Sequence, residues 1–207
     1  MNRTNFPNKE LEYNFHKRNI NILWFQTFER AKEYLLDCIP KGATIGIGHS
    51  KTLESIGITE ALQKRGNQVY DKELGSTPEE MTLLKKNALL ADYYISGSNA
   101  ISMDGRIVNI DHSGNRVAAL AFGPEKVFIV VGINKITDTL VEAINRAKNI
   151  ASPQNAIRAG YTPPCVTTGY CVDCLSPERV CNTMSIIEGQ HIKGRMTILI
   201  VNDEAGF

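Results

Sequence analysis

Nowhere does this sequence approach the ~20 consecutive apolar residues of a membrane span. Its opening stretch, MNRTNFPNKELEYNFHKRN, also lacks the uninterrupted apolar segment of a secretory signal. These absences place the chain in the cytoplasm, where thiols are kept reduced. Neither sign of charge is in excess: 23 Lys and Arg face 22 Asp and Glu, for a formal net charge of +1. No basic face is therefore expected for nucleic acid or an anionic membrane, and a charged ligand must be recognised locally. Two phosphate-binding fingerprints are missing as well. A GxxxxGK[ST] loop would need glycine at 45 and 50, where Ile45 and Ser50 stand, and no GxGxxG occurs. No internal repeat or low-complexity tract interrupts the chain.

What is present is apolar material for one sizeable core, 43% of 207 residues, so residues 1–207 read as a single domain. Residues 7–38 carry Leu11, Phe15, Phe28, Ala31, Tyr34 and Leu35 at helical spacing, predicting two N-terminal helices within 1–40, separated by a break near Asn19 to Ile22. Pro40 and Gly42 end the second. Ala43 to Ile47 is a short strand that turns into a helix through Gly48-His49-Ser50-Lys51-Thr52. Thr77, Pro78 and Glu80 mark a helix start with a capping box, running to about Leu90. Tyr93 to Ser96 is a strand, and Asp104-Gly105 sits between AISM and RIVNID as a two-residue hairpin turn. VFIVVGI, residues 127–133, is apolar on both faces and so belongs at the centre of a helix-covered sheet. Leu140, Val141, Ile144 and Ala147 share a helical face after Thr137 or Asp138, and Met196 to Val201 supplies a final strand. The alternation predicts a three-layer, mostly parallel α/β core over 41–150. The Asp104 hairpin and the strand after it form an antiparallel insert, with a cysteine-rich segment at 161–185 outside the pattern.

That segment spaces its cysteines as C-x5-C-x2-C-x6-C, at Cys165, Cys171, Cys174 and Cys181, among the turn formers Pro163, Pro164, Gly169, Asp173, Ser176 and Pro177. A loop so poor in apolar residues cannot order itself, whereas metal-binding free energy counts directly as folding free energy. Thiolates suit iron–sulfur clusters and zinc alike. With one C-x2-C pair rather than the two of a zinc ribbon, a 4Fe-4S cluster is the first expectation and zinc the alternative, ahead of disulfide or free-thiol chemistry. Cys38 follows a helical apolar face and reads as core.

Two further constellations bear on binding. Free N–H groups at the Gly48 turn would face an anion, although tight-turn geometry and helix capping by Ser50 account for the same residues. Asn99, Asn109, Asp111, Asn115 and Arg116 crowd the hairpin region, with Asn109 and Asp111 sharing strand parity. Turn chemistry explains Asp104, Gly105 and Gly114 by itself. Arg116 would grip a carboxylate or phosphate in a bidentate fork, and Lys135, just past VFIVVGI, would reach the same rim. Ligands of open α/β sheets bind beyond the carboxyl ends of strands, so the 48–52 and 132–135 loops are expected to face one crevice.

IGIGHSKTLESIGI followed by SGSNAISMDGRIVNIDHSGNRVAALAFGPEKVFIVVGINKI resembles the LUD (lactate-utilisation) domain family over about residues 41–150. The resemblance implies a Rossmann-like three-layer sheet similar to the phosphosugar isomerase and CoA-transferase group, and a link to oxidation of lactate or other small acids. By that resemblance Gly48, Ser50 and Thr52 match the family's glycine-rich turn, with Lys51 between them. Asn99, Asn109, Asp111, Asn115, Arg116, Gly123, Pro124, Asn134 and Lys135 match its central motif. Larger relatives work as complexes whose separate iron–sulfur domains carry electrons; this chain instead places four cysteines after the core and carries no ferredoxin-type repeat.

The combined expectation is a protein that binds a small anionic 2-hydroxy or 2-oxo acid, with Arg116 and Lys135 on its carboxylate and Ser50 donating through the turn. Electrons would pass through a cluster on the four cysteines, making the chain an oxidoreductase component. The expected partners are the small anionic metabolite, a redox protein and a second copy of the chain, with no nucleic acid and no membrane. The alternatives are a zinc-pinned, non-redox binding or regulatory module, and a transferase or isomerase acting on a CoA ester or phosphosugar.

Overall fold

The computed structural model describes residues 6–207. Among these the strands, in chain order, are β1 Ile20–Phe25, β2 Thr44–Ile47, β3 Gln68–Tyr70, β4 Tyr93–Ser96, β5 Ala100–Ser102, β6 Ile107–Asp111, β7 Lys126–Gly132, β8 Ile136–Thr137, β9 Thr183–Ile187 and β10 Met196–Val201. The helices are α1 Lys9–His16, α2 Phe28–Cys38, α3 Lys51–Ile56, α4 Ile58–Lys64, α5 Pro78–Ala88, α6 Asn115–Ala121, α7 Leu140–Arg146, α8 Ser152–Arg158 and α9 Pro164–Thr168. No helix among the described residues is long and apolar enough to cross a membrane.

The strands form a six-stranded sheet, ordered β1-β10-β7-β4-β2-β3 and parallel throughout. Strands β7 and β10 lie side by side inside it because their side chains are apolar on both faces. Val127, Ile129, Val131, Met196, Ile198 and Ile200 point to one side, while Phe128, Val130, Leu199 and Val201 point to the other. Each fully buried side chain of this kind contributes roughly 1.5–3 kcal/mol, so this pair anchors the core. Helices α2, α3 and α4 cover the second side with Ala31, Leu35, Leu53, Ile56, Ile58 and Leu62. The first side is covered by α1 and α6 together with a smaller sheet, ordered β8-β5-β6-β9, whose Ile101, Ile107, Ile136 and Ile187 face it. Ala143 of α7 closes the far side of that small sheet against Ala100, Val108 and Ile110. The expected three-layer, mostly parallel α/β architecture is therefore present, with the antiparallel insert forming part of one layer.

The expected helix start at Thr77 is present, with the capping box half formed. The Thr77 hydroxyl accepts from Glu80 N at 3.2 Å, Pro78 opens α5, and the Glu80 carboxylate reaches Ser76 N at 2.7 Å, one residue before the cap. Four others need correction. Of the N-terminal stretch read as helical, residues 1–5 lie outside the described residues, and the break near Asn19 is the start of β1. Its parallel pairing to β10 could not be read from local spacing. The hairpin spans three residues rather than two, Ser102 N bonding Arg106 O at 2.9 Å across Met103 to Gly105, with Gly105 at φ +90°. The strand expected after the hairpin is instead helix α6, Asn115–Ala121, and the remaining antiparallel neighbour of β6 is the distant β9. Helix α7 is capped by Thr139, and Val141 points outward, 66% exposed.

Candidate functional site

An open cleft of about 760 Å³ lies beyond the carboxyl ends of β2, β3, β4 and β7. Its walls come from the turn after β2, the Gly97 to Asn99 segment after β4, the end of β6 with the start of α6, Lys135 after β7, and Arg158 of α8. The turn is tight for a steric reason. Gly48 N bonds Ile95 O at 2.8 Å, and a Cβ on Gly48 would stand 2.6 Å from Ser96 Oγ. The chain is thereby delivered to Ser50, which occupies the N-cap position of α3 without making a side-chain cap bond. Helix α3 runs only six residues before Gly57, at φ +59°, ends it.

Beside the turn, His49 is held between two carboxylates, its Nε2 3.3 Å from Glu54 and its Nδ1 3.3 Å from Glu73. Those carboxylates favour the protonated ring, but burial, with Arg158 and Lys72 nearby, outweighs them and brings its pKa down to about 4. On the opposite wall Asn99 Oδ1 accepts from Ile110 N at 2.7 Å and from Arg116 Nη2 at 3.1 Å, and Arg116 also donates to Ile110 O at 2.6 Å. Arg116 is thus fixed in place with donors left over. The Asp111 carboxylate is occupied structurally, accepting from His112 N and Arg116 N at 2.8 Å each and from Val117 N at 3.3 Å, where it caps α6. Asn115 accepts from the Ser113 hydroxyl at 2.9 Å.

Lys135 ends a short 3-10 turn and is only 3% exposed. Burial, reinforced by Arg146 and Arg116, pushes its pKa down to about 7. Its ammonium contacts the Phe207 main-chain oxygen. Residues 203–207 run along the cleft to reach it: Ile133 N bonds Asp203 O at 3.0 Å, Asn134 Nδ2 bonds Gly206 O at 3.3 Å, and the Arg158 guanidinium lies 5.9 Å from the Phe207 ring centre. Among the described residues Lys85, Arg116, Lys135 and Arg158 form no ion pair with an acidic side chain. Six basic side chains line the cleft, Lys51, Lys72, Lys85, Arg116, Lys135 and Arg158, against the carboxylates of Glu54, Glu73 and Asp111, so positive charge is in excess there.

Of the residues singled out from the sequence, Ser50, Lys51, Thr52, Asn99, Asp111, Asn115, Arg116 and Lys135 line this one cleft. Gly48 lies beneath the turn and Asn134 holds the 203–207 segment. Asn109 is fully buried behind the wall, its carbonyl accepting from Asn99 N at 3.3 Å and its Nδ2 unpartnered. Sequence reasoning missed Arg158, Arg146, Lys72 and Glu73. Arg146, which donates to Asn99 O and Asn134 O, looks in sequence like any solvent-facing helix cation.

The cysteine loop adjoins the cleft. Helix α9 presents Cys165, and all four thiols of the loop line one small cavity of about 10 Å³, close to the space of one water. All are free, so the disulfide alternative has no support in the geometry. Asp173, at φ +50°, turns its N–H onto Cys171 Sγ at 3.4 Å, Arg179 Nη2 stands 3.5 Å from Cys181 Sγ, and Asn149 Oδ1 accepts from Cys171 N at 3.0 Å. Burial raises the Cys165 thiol pKa, and Cys174, Cys181 and Cys171 add to the rise. Among the described residues no group of three or more His, Cys, Asp or Glu stands together so that it could hold a metal ion, and the four thiols as placed are no exception. Val180 lines both this cavity and the cleft, and Asn182 N bonds Asp111 O at 3.1 Å, so the two regions share a wall.

A profile of the LUD domain matches residues 9–201. Lactate utilization protein B from Oceanobacillus iheyensis is 25% identical to this chain over 67% of its length; the match takes in 40% of that relative, so the chain spans about two fifths of the curated protein. Among solved structures, a DUF162 family protein from Deinococcus radiodurans covers 98% of this chain and 99% of its own, with a TM-score of 0.53 and 15% identity, a likeness of fold alone. Ribose 5-phosphate isomerase A from Neisseria gonorrhoeae overlaps 55% of this chain at a TM-score of 0.35, too slight to carry an argument.

Proposed function

The chain belongs to the LUD domain family, and from that premise we propose that it binds a small 2-hydroxy or 2-oxo acid in the cleft and serves organic-acid utilisation as a redox component. The observation that carries this reading is the shared Val180 wall between a cleft with an excess of basic side chains and a cavity lined by four thiols. The printed name of the Oceanobacillus relative points to lactate as the type of acid.

In this reading Arg116, held by Asn99 and Ile110 with donors to spare, takes the carboxylate. Ser50 donates its uncommitted hydroxyl from the opposite side. Lys135 supplies a second contact once the Phe207 oxygen gives way. Cys165, Cys171, Cys174 and Cys181 would hold a 4Fe-4S cluster, which supplies one-electron transfer when bound. The donor atoms are of the kind a thiolate centre uses, and the sulfurs must draw together to hold one, since as placed they form no metal-holding group. The Asp173 N–H and the Arg179 guanidinium offset negative charge on two sulfurs.

A second reading has a specific observation in its favour. The space among the thiols is that of a single small species rather than a cubane, which suits one zinc ion pinning the loop with no redox role. Anaerobic purification followed by iron, sulfide and zinc analysis separates the two. Iron and sulfide in equal amount, with a visible thiolate-to-iron absorbance bleached by dithionite, supports the redox reading. Stoichiometric zinc without sulfide ends it and leaves the zinc-stabilised binding module.

A further inference from the structure

Lys135 differs from the other lysines of the cleft. Lys51 is exposed and Lys72 and Lys85 are partly so, whereas Lys135 is 3% exposed and sits at the end of the central strand β7. No acidic side chain pairs with it among the described residues. The charges felt most strongly around it are those of Arg146 and Arg116, and its hydrogen-bond partner is the main-chain oxygen of Phe207. A dry amine beside two guanidinium groups is costly to keep protonated, and the unprotonated amine is a nucleophile. Lys135 also lines the same cleft as Arg116, the residue placed on the ligand's carboxylate.

We infer that Lys135 forms an imine with a 2-oxo acid bound in the cleft. This rests on the reading of the cleft as a carboxylate site. The Nζ lone pair attacks the 2-carbonyl carbon, forming the N–C bond as the carbonyl π electrons move to oxygen. The carbinolamine then loses that oxygen with two protons as water, and the nitrogen lone pair completes the C=N bond. One amine and one 2-oxo acid become one imine and one water, so no oxidant or reductant is consumed. Arg116 orients the acid through its carboxylate, and the Phe207 oxygen must leave the amine before attack. A 2-hydroxy acid has no carbonyl at that carbon and binds without a covalent bond. The site therefore tells the oxidised member of a 2-oxo/2-hydroxy pair from the reduced one by bond formation rather than by shape.

The test incubates the full chain with pyruvate and borohydride at neutral pH and maps the product by intact mass and peptide mass spectrometry. The expected result is one adduct on Lys135, heavier by the mass of the acid less one oxygen, and absent from Lys135→Arg, which keeps the charge. Labelling spread over Lys51, Lys72 and Lys85, or undiminished in Lys135→Arg, overturns the inference. Calorimetry with lactate on the same preparation separates the two levels. Lactate binding with Lys135 unlabelled defeats the imine and leaves the carboxylate site standing. Failure of both acids to bind, with Lys135 unlabelled, defeats both.

Discussion

The cleft and the cysteine loop meet at Val180 but are held by opposite means. The cleft's residues sit at the ends of strands whose side chains are buried on both faces, and its key cation is fixed twice over, Arg116 to Asn99 and to Ile110. Its charge is preorganised before any ligand arrives. The loop from 161 to 182 carries Tyr170 at 58% and Leu175 at 89% exposure, and its order within the described residues rests on a few contacts such as Asn149 to Cys171 and Glu178 to Thr162. Packing places the first set of chemistry-bearing groups; the second, on the proposed reading, takes its order from the centre its sulfurs would surround.

The comparison breaks most visibly if the proposed metal centre is removed. Structural metal sites contribute roughly 10 kcal/mol or more of binding free energy to the segment they order, so Cys171→Ser with Cys174→Ser should abolish hydrogen-exchange protection across 161–182. Amides of β7 and β10 should keep theirs. Equal loss in the central strands would show that the loop supports the core and that the contrast is false.

The next effect acts on the cleft and has a definite sign. Lys135 has a folded pKa of about 7, against ~10.4 in an unfolded chain. Between those values the unfolded state binds a proton that the folded state does not, so stability rises with pH through that window, and below about pH 7 the full cost of a buried ammonium is carried. Lys135→Met should therefore be more stable than the parent by ~2–5 kcal/mol at pH 6, with the gap shrinking as pH climbs toward ~10.4. Denaturant unfolding at both pH values checks this, and a variant destabilised at pH 6 would count against a dry amine with no acidic side chain beside it.

Smaller again is the effect of Arg116→Ala on ligand. Removing a charge-assisted bond costs about 1.5–3 kcal/mol, so lactate or pyruvate affinity should fall roughly tenfold or more, while the thiol cavity keeps its metal content. Unchanged affinity by calorimetry would move the carboxylate elsewhere in the cleft.

What could be read from sequence follows the same divide. Strands buried on both faces announce themselves, as VFIVVGI and MTILIV do, and so does a helix start such as Thr77-Pro78-Glu79-Glu80. Features set by long-range pairing do not. β1 exists because β10 lies beside it, β9 because β6 does, and Arg158 joins the cleft because α8 packs there. The residues of the glycine turn and hairpin could be collected from their order along the chain. That Asp111 is spent capping α6 and Asn109 lies behind the wall could not, because both depend on which backbone groups the tertiary structure leaves unpaired.

One side chain links the two regions, and it carries the smallest of these predictions. Asn149 sits in the π-helical stretch Ala147–Ala151, whose Ala147 packs against β6 beneath the cleft wall, and its carbonyl accepts from Cys171 N at 3.0 Å. It is thus a tether from packed scaffold to the cysteine loop. Asn149→Ala leaves the Cys171 N–H without that partner, a net loss of about 0.5–1.5 kcal/mol. In the loaded protein the sulfur ligands still fix the loop, so melting of the core should barely move. Release of metal to a chelator passes through an opened loop and should quicken several-fold. If release is unaffected, the cysteine segment is ordered from within and owes nothing to the wall it shares with the cleft.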